Sequence, residues 1–384
     1  RPQEESMVLT DIQTFIVGNP WKNWVFIKLH TDEGVYGVGE ATAHRKAKMI
    51  EAAIIEYRRY FLGRNPFNTE EINYELIKSG APTKVRAAID IACWDIMGKV
   101  LEQPVYNLIG GKFRDRVPAY ANGWYQVDRV PEEFAERAQA VVARGYKAMK
   151  FDPFGTAFER ITREEIDLSV DIVAAVRDAV GPHVELFIEC HGRFDPLIGA
   201  KIGKRMEPFD PGWFEEPVRS AQIDNMAALN AKLSFPVAGG EGLDGVDDFL
   251  RFMSARAAQI IQPDPVTCGG ISELKKICAI AQAHHIKVAP HNAQGPVCTA
   301  ACFHVDASTP IVMIQEIFED FATPFAEKIT DYPTEIVDGH IIIPDRPGLG
   351  LDLDEEEMAR YPYDESHFLD MFGKGGWEKR NLND

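Results

Sequence analysis

Residues 184–193 read VELFIECHGR, residues 213–217 read WFEEP and residues 237–241 read VAGGE. Each is a short apolar run closed by a glutamate: Glu189, Glu215, Glu241. Each glutamate lies 26 residues from the next. That interval suits one buried strand, one covering helix and two turns, so the spacing predicts successive βα units.

The same rhythm extends both ways. Apolar runs at Val117–Trp124, Ala148–Asp152, Val184–Glu189, Trp213–Glu216, Val237–Glu241, Gln259–Asp264, Lys287–His291 and Ile311–Glu316 alternate with helical stretches. Among the latter are Pro131–Arg144, Arg163–Val180, Ile223–Leu233, Gly269–His284 and Gly295–Ser308. Eight strands so separated predict a closed parallel β/α barrel. No G-x-G-x-x-G follows any of them, which argues against an open doubly wound sheet. Upstream the grammar differs. Strands at Thr10–Val17, Val25–His30 and Val35–Glu40 precede helices at Ala47–Phe61, Thr69–Ser79 and Thr83–Val100, an α+β pattern. The predicted division is a capping domain over 7–115, a barrel over 116–335 and a segment over 336–384 that returns to the cap.

The 384 residues carry 41 Lys+Arg against 59 Asp+Glu, a net charge of −18. No basic footprint exists for nucleic acid or an acidic membrane surface. The same field repels a small anion unless a bound cation reverses it locally. Six scattered cysteines without a C-x-x-C pair fit a reducing, cytoplasmic setting. No apolar run nears the roughly 20 residues of a membrane span, and the opening RPQEESM has no signal-peptide core.

Barrel chemistry gathers at the C-terminal ends of strands. There the sequence places Lys150 and Asp152, Glu189, Glu215, Glu241, Asp264, His291 and Glu316. Three glutamates on adjacent strands repel one another unless a cation sits between them. An all-oxygen set without cysteine favours Mg²⁺, with Mn²⁺ the alternative, over Zn²⁺. Asp264 and His291 end neighbouring strands, so the carboxylate can orient the imidazole as a general base. His191 follows Glu189 by two residues, which by strand alternation puts it on the same side. Lys150 shares a face with Asp152. It reads equally as a contact to a substrate carboxylate, as a base, or as the partner of an acidic neighbour.

With these residues in hand, the chain resembles the enolase superfamily, and within it the mandelate-racemase-like acid-sugar dehydratases. The resemblance runs from TDEGVYGVGE through AAIDIACWDIMGK, NLIGG, WFEEP, QPD, CGG and PGLG. YANGWY, KFDPFG and ECHGRF look most like gluconate and galactonate dehydratases. It implies a (β/α)7β modified TIM barrel, an α/β fold with an N-terminal α+β capping domain, and a homo-oligomer of unspecified stoichiometry. It also implies Mg²⁺ on Glu189, Glu215 and Glu241, where the first ligand is more commonly Asp. The His291–Asp264 dyad becomes the base, His191 the acid for the departing hydroxyl, and Glu316 a protonated donor to the enolate oxygen. Racemases of the superfamily carry Lys-x-Lys on the second strand. Here it is Lys150-x-Asp152, so a second base is missing.

The expected activity is that of a hydro-lyase, a lyase removing water from an aldonate-type sugar acid through an enediolate to give a 2-keto-3-deoxy acid. Lys150, Arg193 and Asn122 are the expected substrate contacts. The Gly18–Trp24 loop, with Trp21 and Trp24, and the region of His44 are expected to read distal hydroxyls. An epimerase, racemase or lactone cycloisomerase working through the same enolate is the alternative.

Overall fold

Alternating β-branched and aromatic residues build the first sheet: β1 (Leu9–Val17), β2 (Trp24–Thr31) and β3 (Tyr36–Glu40), paired antiparallel in that order. A computed structural model describes residues 7–323, 325–368 and 370–372. Helices α1 (Ala47–Tyr57), α2 (Thr69–Lys78) and α3 (Thr83–Val100) follow, and α3 lies across β2 and β3. The two glycines of the GVGE turnback allow that approach. A Cβ at Gly37 or Gly39 would run into the carbonyl oxygen of Ala92 or Ala88. A short α4 (Val105–Leu108) leads into the barrel.

The barrel strands are β4 (Arg116–Ala121), β5 (Ala148–Phe151), β6 (Glu185–Glu189), β7 (Trp213–Glu215), β8 (Val237–Gly239), β9 (Ile260–Ile261), β10 (Lys287–Val288) and β11 (Gln315–Ile317). Seven pair in parallel from β4 to β10, and β11 pairs in parallel with β4. A parallel bridge from Val288 to Val312 closes the ring. Helices α5 (Pro131–Ala143), α6 (Arg163–Val180), α7 (Pro196–Met206), α8 (Ile223–Asn230), α9 (Gly245–Ser254), α10 (Pro265–Cys268), α11 (Ile271–His284) and α12 (Pro296–Ala307) cover it. Local chemistry starts several of them. Thr162 and Glu165 form a reciprocal capping box on α6, and Asp195 accepts the first amides of α7.

Inside the ring each strand or its immediate flank contributes one residue to a buried layer: Tyr120, Ala148, Phe187, Trp213, Ala238, Ile260, Ala289 and Ile314. Three large rings, Tyr120, Phe187 and Trp213, are offset by Ala148, Ala238 and Ala289. Phe187 and Trp213 stack at 3.4 Å with Tyr120 edge-on to both. This apolar floor closes the barrel below the strand ends, so polar groups above it share one bowl.

Two more strands, β12 (Ile336–Val337) and β13 (His340–Ile342), form a hairpin, and β13 runs antiparallel to β4. Beyond them the chain crosses to the cap. Leu349 N–H reaches Asp95 at 2.8 Å, Lys28 meets Glu355 at 2.7 Å, and the Asn23 amide reaches Asp364 O at 2.7 Å. The cap is thus assembled from both halves of the sequence. Among the described residues no helix is long and apolar enough to cross a membrane.

Candidate active site

The site is built on the rim above the aromatic floor. Glu189, Glu215 and Glu241 each present a carboxylate oxygen, and the three oxygens lie within 4.8 Å of one another. Trp213 of the floor donates from Nε1 to Glu215 Oε2 at 2.8 Å, tying the cage to the packing beneath. Glu189 Oε1 accepts the His191 amide at 2.7 Å. Burial and the proximity of Glu189 push the Glu215 carboxyl well up, and burial raises Glu189 as well. Excess negative charge in a desolvated hard-oxygen cage is what a divalent cation relieves, so these donors fit Mg²⁺ or Mn²⁺.

Lys150, on β5, sits at the centre. Its ammonium lies 3.1 Å from Glu189, 2.5 Å from Glu215 and 2.9 Å from Glu316. Burial alone would strip its proton, but these carboxylates hold it charged. Of the roles open to Lys150 in the sequence, the structure favours the partner of acidic neighbours over the base.

His291 follows β10 and completes the opposite side. Its Nδ1 is 2.8 Å from Asp264 Oδ2, and its Nε2 is 3.2 Å from Glu241 Oε2. Burial opposes a charged ring here, yet Glu241, Glu316 and Asp264 lift the imidazole to about 10. Asp264 does not end a strand as expected. β9 stops at Ile261, and Asp264 caps α10, Oδ1 accepting the amides of Val266 and Thr267. Oδ2 also accepts Gln294 Nε2 at 2.8 Å. Against the effect of burial, the His291 hydrogen bond and charge, with Lys84 and Gln294, bring Asp264 to about 2.

His191 is reached by a different route from the one strand alternation suggests. β6 ends at Glu189, and His191 has φ +52, in the left-handed region. The turn sends its Nδ1 to Asp152 Oδ2 at 2.8 Å.

The structure gives three expected residues particular surroundings. Glu316, expected as a protonated donor, is met by donors at both carboxylate oxygens. Its Oε1 accepts Asn122 Nδ2 at 2.8 Å and faces Lys150, its Oε2 accepts the Asn292 amide at 2.9 Å, and despite burial Lys150 and His291 hold it down at about 2. Arg193 does not face the bowl. It is fully buried, donating to the carbonyls of Cys190 and Gly155 at 2.8 Å each and pairing with Asp152. Asn122 donates its amide to Glu316 and accepts the Gly123 amide on its oxygen, so it meets the site through Glu316.

The cap closes over the rim. Glu40 caps α12, accepting the amides of Gly295 and Cys298 at 2.8 and 2.9 Å. Lys22 donates to Ala293 O at 2.8 Å and Gln294 Oε1 at 3.1 Å. Trp21 packs its ring on Phe318, and its Nε1 reaches Thr323 Oγ1 at 3.2 Å. Trp24 is instead a core residue against Phe26 and Phe325.

Residues 133–357 match the model described as enolase C-terminal domain-like, and residues 6–110 match the mandelate racemase / muconate lactonizing enzyme N-terminal domain. The chain belongs to the mandelate racemase / muconate lactonizing enzyme family. Among relatives in that family, the D-gluconate/D-galactonate dehydratase of Picrophilus torridus is 37% identical over 354 residues, 90% of each chain. The D-gluconate dehydratase of Thermoproteus tenax is 36% identical over 349 residues, 89% of this chain and 70% of that one. A solved mandelate racemase/muconate lactonizing enzyme from Sulfitobacter sp. superposes with TM-score 0.89 at 35% identity, covering 94% of this chain and 96% of that one.

Sequence reasoning missed Gln294, Asn292 and Lys22. All three act from loops, where no periodicity marks a residue as facing the site. Asp152 was placed at a strand end beside Lys150, with no link to His191.

Proposed function

We propose that this protein is a hydro-lyase that dehydrates an aldonate-type sugar acid such as gluconate or galactonate to the 2-keto-3-deoxy acid. The observation that carries the reading is the pair of imidazoles across one carboxylate cage. His191 follows β6 and His291 follows β10, four strands apart in a ring of eight, and therefore on opposite sides. Elimination needs one base and one acid, and opposite placement favours anti removal of the elements of water. The names of the relatives supply the substrate class.

Glu189, Glu215 and Glu241 would hold Mg²⁺. Bound there, the cation supplies positive charge against a substrate carboxylate that gains negative charge as C2 loses its proton. His291, oriented by Asp264, would take the C2 proton on Nε2, its ring neutral once Glu241 is engaged by the cation and no longer holds a proton there. Lys150, charged and fixed by Glu316, faces the developing enediolate. The C3–O bond breaks as His191 delivers a proton, so the hydroxyl leaves as water and a C2–C3 double bond forms. The resulting enol tautomerises to the keto acid. Asp152 stands where the racemases hold a second base, which weighs against epimerisation.

The test is incubation with D-gluconate, D-galactonate and a panel of other mono- and diacid sugars in Mg²⁺, trapping keto acids with semicarbazide. Keto acid should form, stop on chelation and return when Mg²⁺ is restored. A substrate that is epimerised without loss of water would replace this reading with the isomerase.

A further inference from the structure

The geometry points to Asp152 as the positioning carboxylate of His191, so that the site holds two matched aspartate–histidine pairs, one for each proton transfer. The inference rests on the dehydratase reading above and explains the residue that departs from the racemase pattern.

The two pairs are built alike. Asp152 follows β5 and reaches His191 beyond β6. Asp264 follows β9 and reaches His291 beyond β10. In each, aspartate Oδ2 lies 2.8 Å from histidine Nδ1 across adjacent strands. In each, Oδ1 accepts the amide two residues on, Phe154 at 2.9 Å and Val266 at 2.8 Å. Each aspartate precedes a proline, Pro153 or Pro265, which removes the nearest competing donor. The carboxylate is therefore fixed by its own backbone and can turn a ring without swinging itself.

Two further features are particular to Asp152. Arg193 pairs with the same oxygen while its other donors hold the carbonyls of Cys190 and Gly155. This brace joins the loops that follow β5 and β6. His191 keeps a left-handed backbone, φ +52, which persists in a non-glycine residue only where the surroundings impose it. With Nδ1 committed to Asp152, proton delivery falls to Nε2, as proton abstraction falls to Nε2 of His291. Asp152 cannot itself stand in for a strand-two base, because both its oxygens are engaged and it is 1% exposed.

Asp152→Asn tests this. An amide there must set its NH₂ against either the Phe154 amide or the Arg193 and His191 donors, so the ring loses its setting. On a sugar acid that the parent dehydrates, kcat for dehydration should fall about 10²-fold or more. Exchange of the C2 proton in deuterated buffer, which needs only the other pair, should stay within about threefold of the parent. The 3-deoxy-3-fluoro analogue loses fluoride without needing a proton, and its elimination should be largely preserved. In a His191→Asn background, Asp152→Asn should cost nothing more.

Parallel loss of exchange and dehydration, equal loss on the fluoro analogue, or additive loss in the double variant would overturn the role. If Asp152→Asn does not fold, Asp152→Glu keeps the charge for Arg193 while displacing the oxygen from His191, and carries the same comparison. A parent that yields no keto acid from any sugar acid sinks the dehydratase reading instead, before any variant is compared.

Discussion

At the scale of single residues, the bowl is a problem of charge. Glu189, Glu215 and Glu316 surround one ammonium, and Glu241 adds a fourth carboxylate against His291. His291→Asn removes the proposed base while leaving a hydrogen-bond partner for Asp264. C2 exchange in deuterated buffer, read by proton NMR, should then fall about 10²- to 10⁴-fold. Exchange at the parent rate would mean that another group takes the proton. The glutamate triad and the His291–Asp264 contact were legible in the sequence because polar residues recur about one βα unit apart. The ionisation of Glu316 was not. It depends on Lys150, His291 and the Asn292 amide converging on one carboxylate, and no spacing encodes that convergence.

Between elements, the lid loop and the barrel meet through hydrogen bonds that continue to the base. Lys22 holds Gln294, Gln294 holds Asp264, and Asp264 holds His291. Lys22→Met should therefore lower kcat/KM about tenfold or more, by undocking the loop and loosening the dyad. Lys22→Arg should recover part of it. Equal values for parent and Met variant would detach the loop from catalysis. The contact of α4 with α12 makes a different prediction. His304 is buried, its Nδ1 accepts the Tyr106 amide at 3.2 Å, and burial drives its imidazole down to about 4. The unfolded chain, with the ordinary value near 6.5, takes up a proton first as pH falls, so stability declines from pH 6.5 toward 4. Between pH 7 and 5 this costs about 2 kcal/mol. Denaturant titrations should show the parent losing that much more than His304→Gln over the interval. Strand positions were readable from the sequence at this scale, but strand ends were not. Gln259–Asp264 and Lys287–His291 shrink to two-residue strands because the chain leaves the ladder early to place Asp264 and His291 in turns.

Across the whole molecule, the N-terminal cap and the returning C-terminal segment are joined by backbone in near contact. A Cβ on Gly98 of α3 would lie 2.5 Å from Gly348 Cα. Gly98→Ala should accordingly destabilise the protein by about 1–3 kcal/mol despite the gain in helix propensity, seen as a lower thermal midpoint. A midpoint at or above the parent's would show that this seam can give. The order of elements was legible here because periodicity changes from the α+β opening to the βα repeat. Which late residues seal the cap was not, since the contacts of Leu349, Glu355 and Asp364 join positions with no local signature. Those contacts also set a schedule. The partners Lys28 and Glu355 are 327 residues apart, so at ribosomal speeds the first strands wait roughly 15–65 s for them. The nascent cap sheet must stay unaggregated through that interval, and the bowl acquires its roof only after the last barrel strand has emerged.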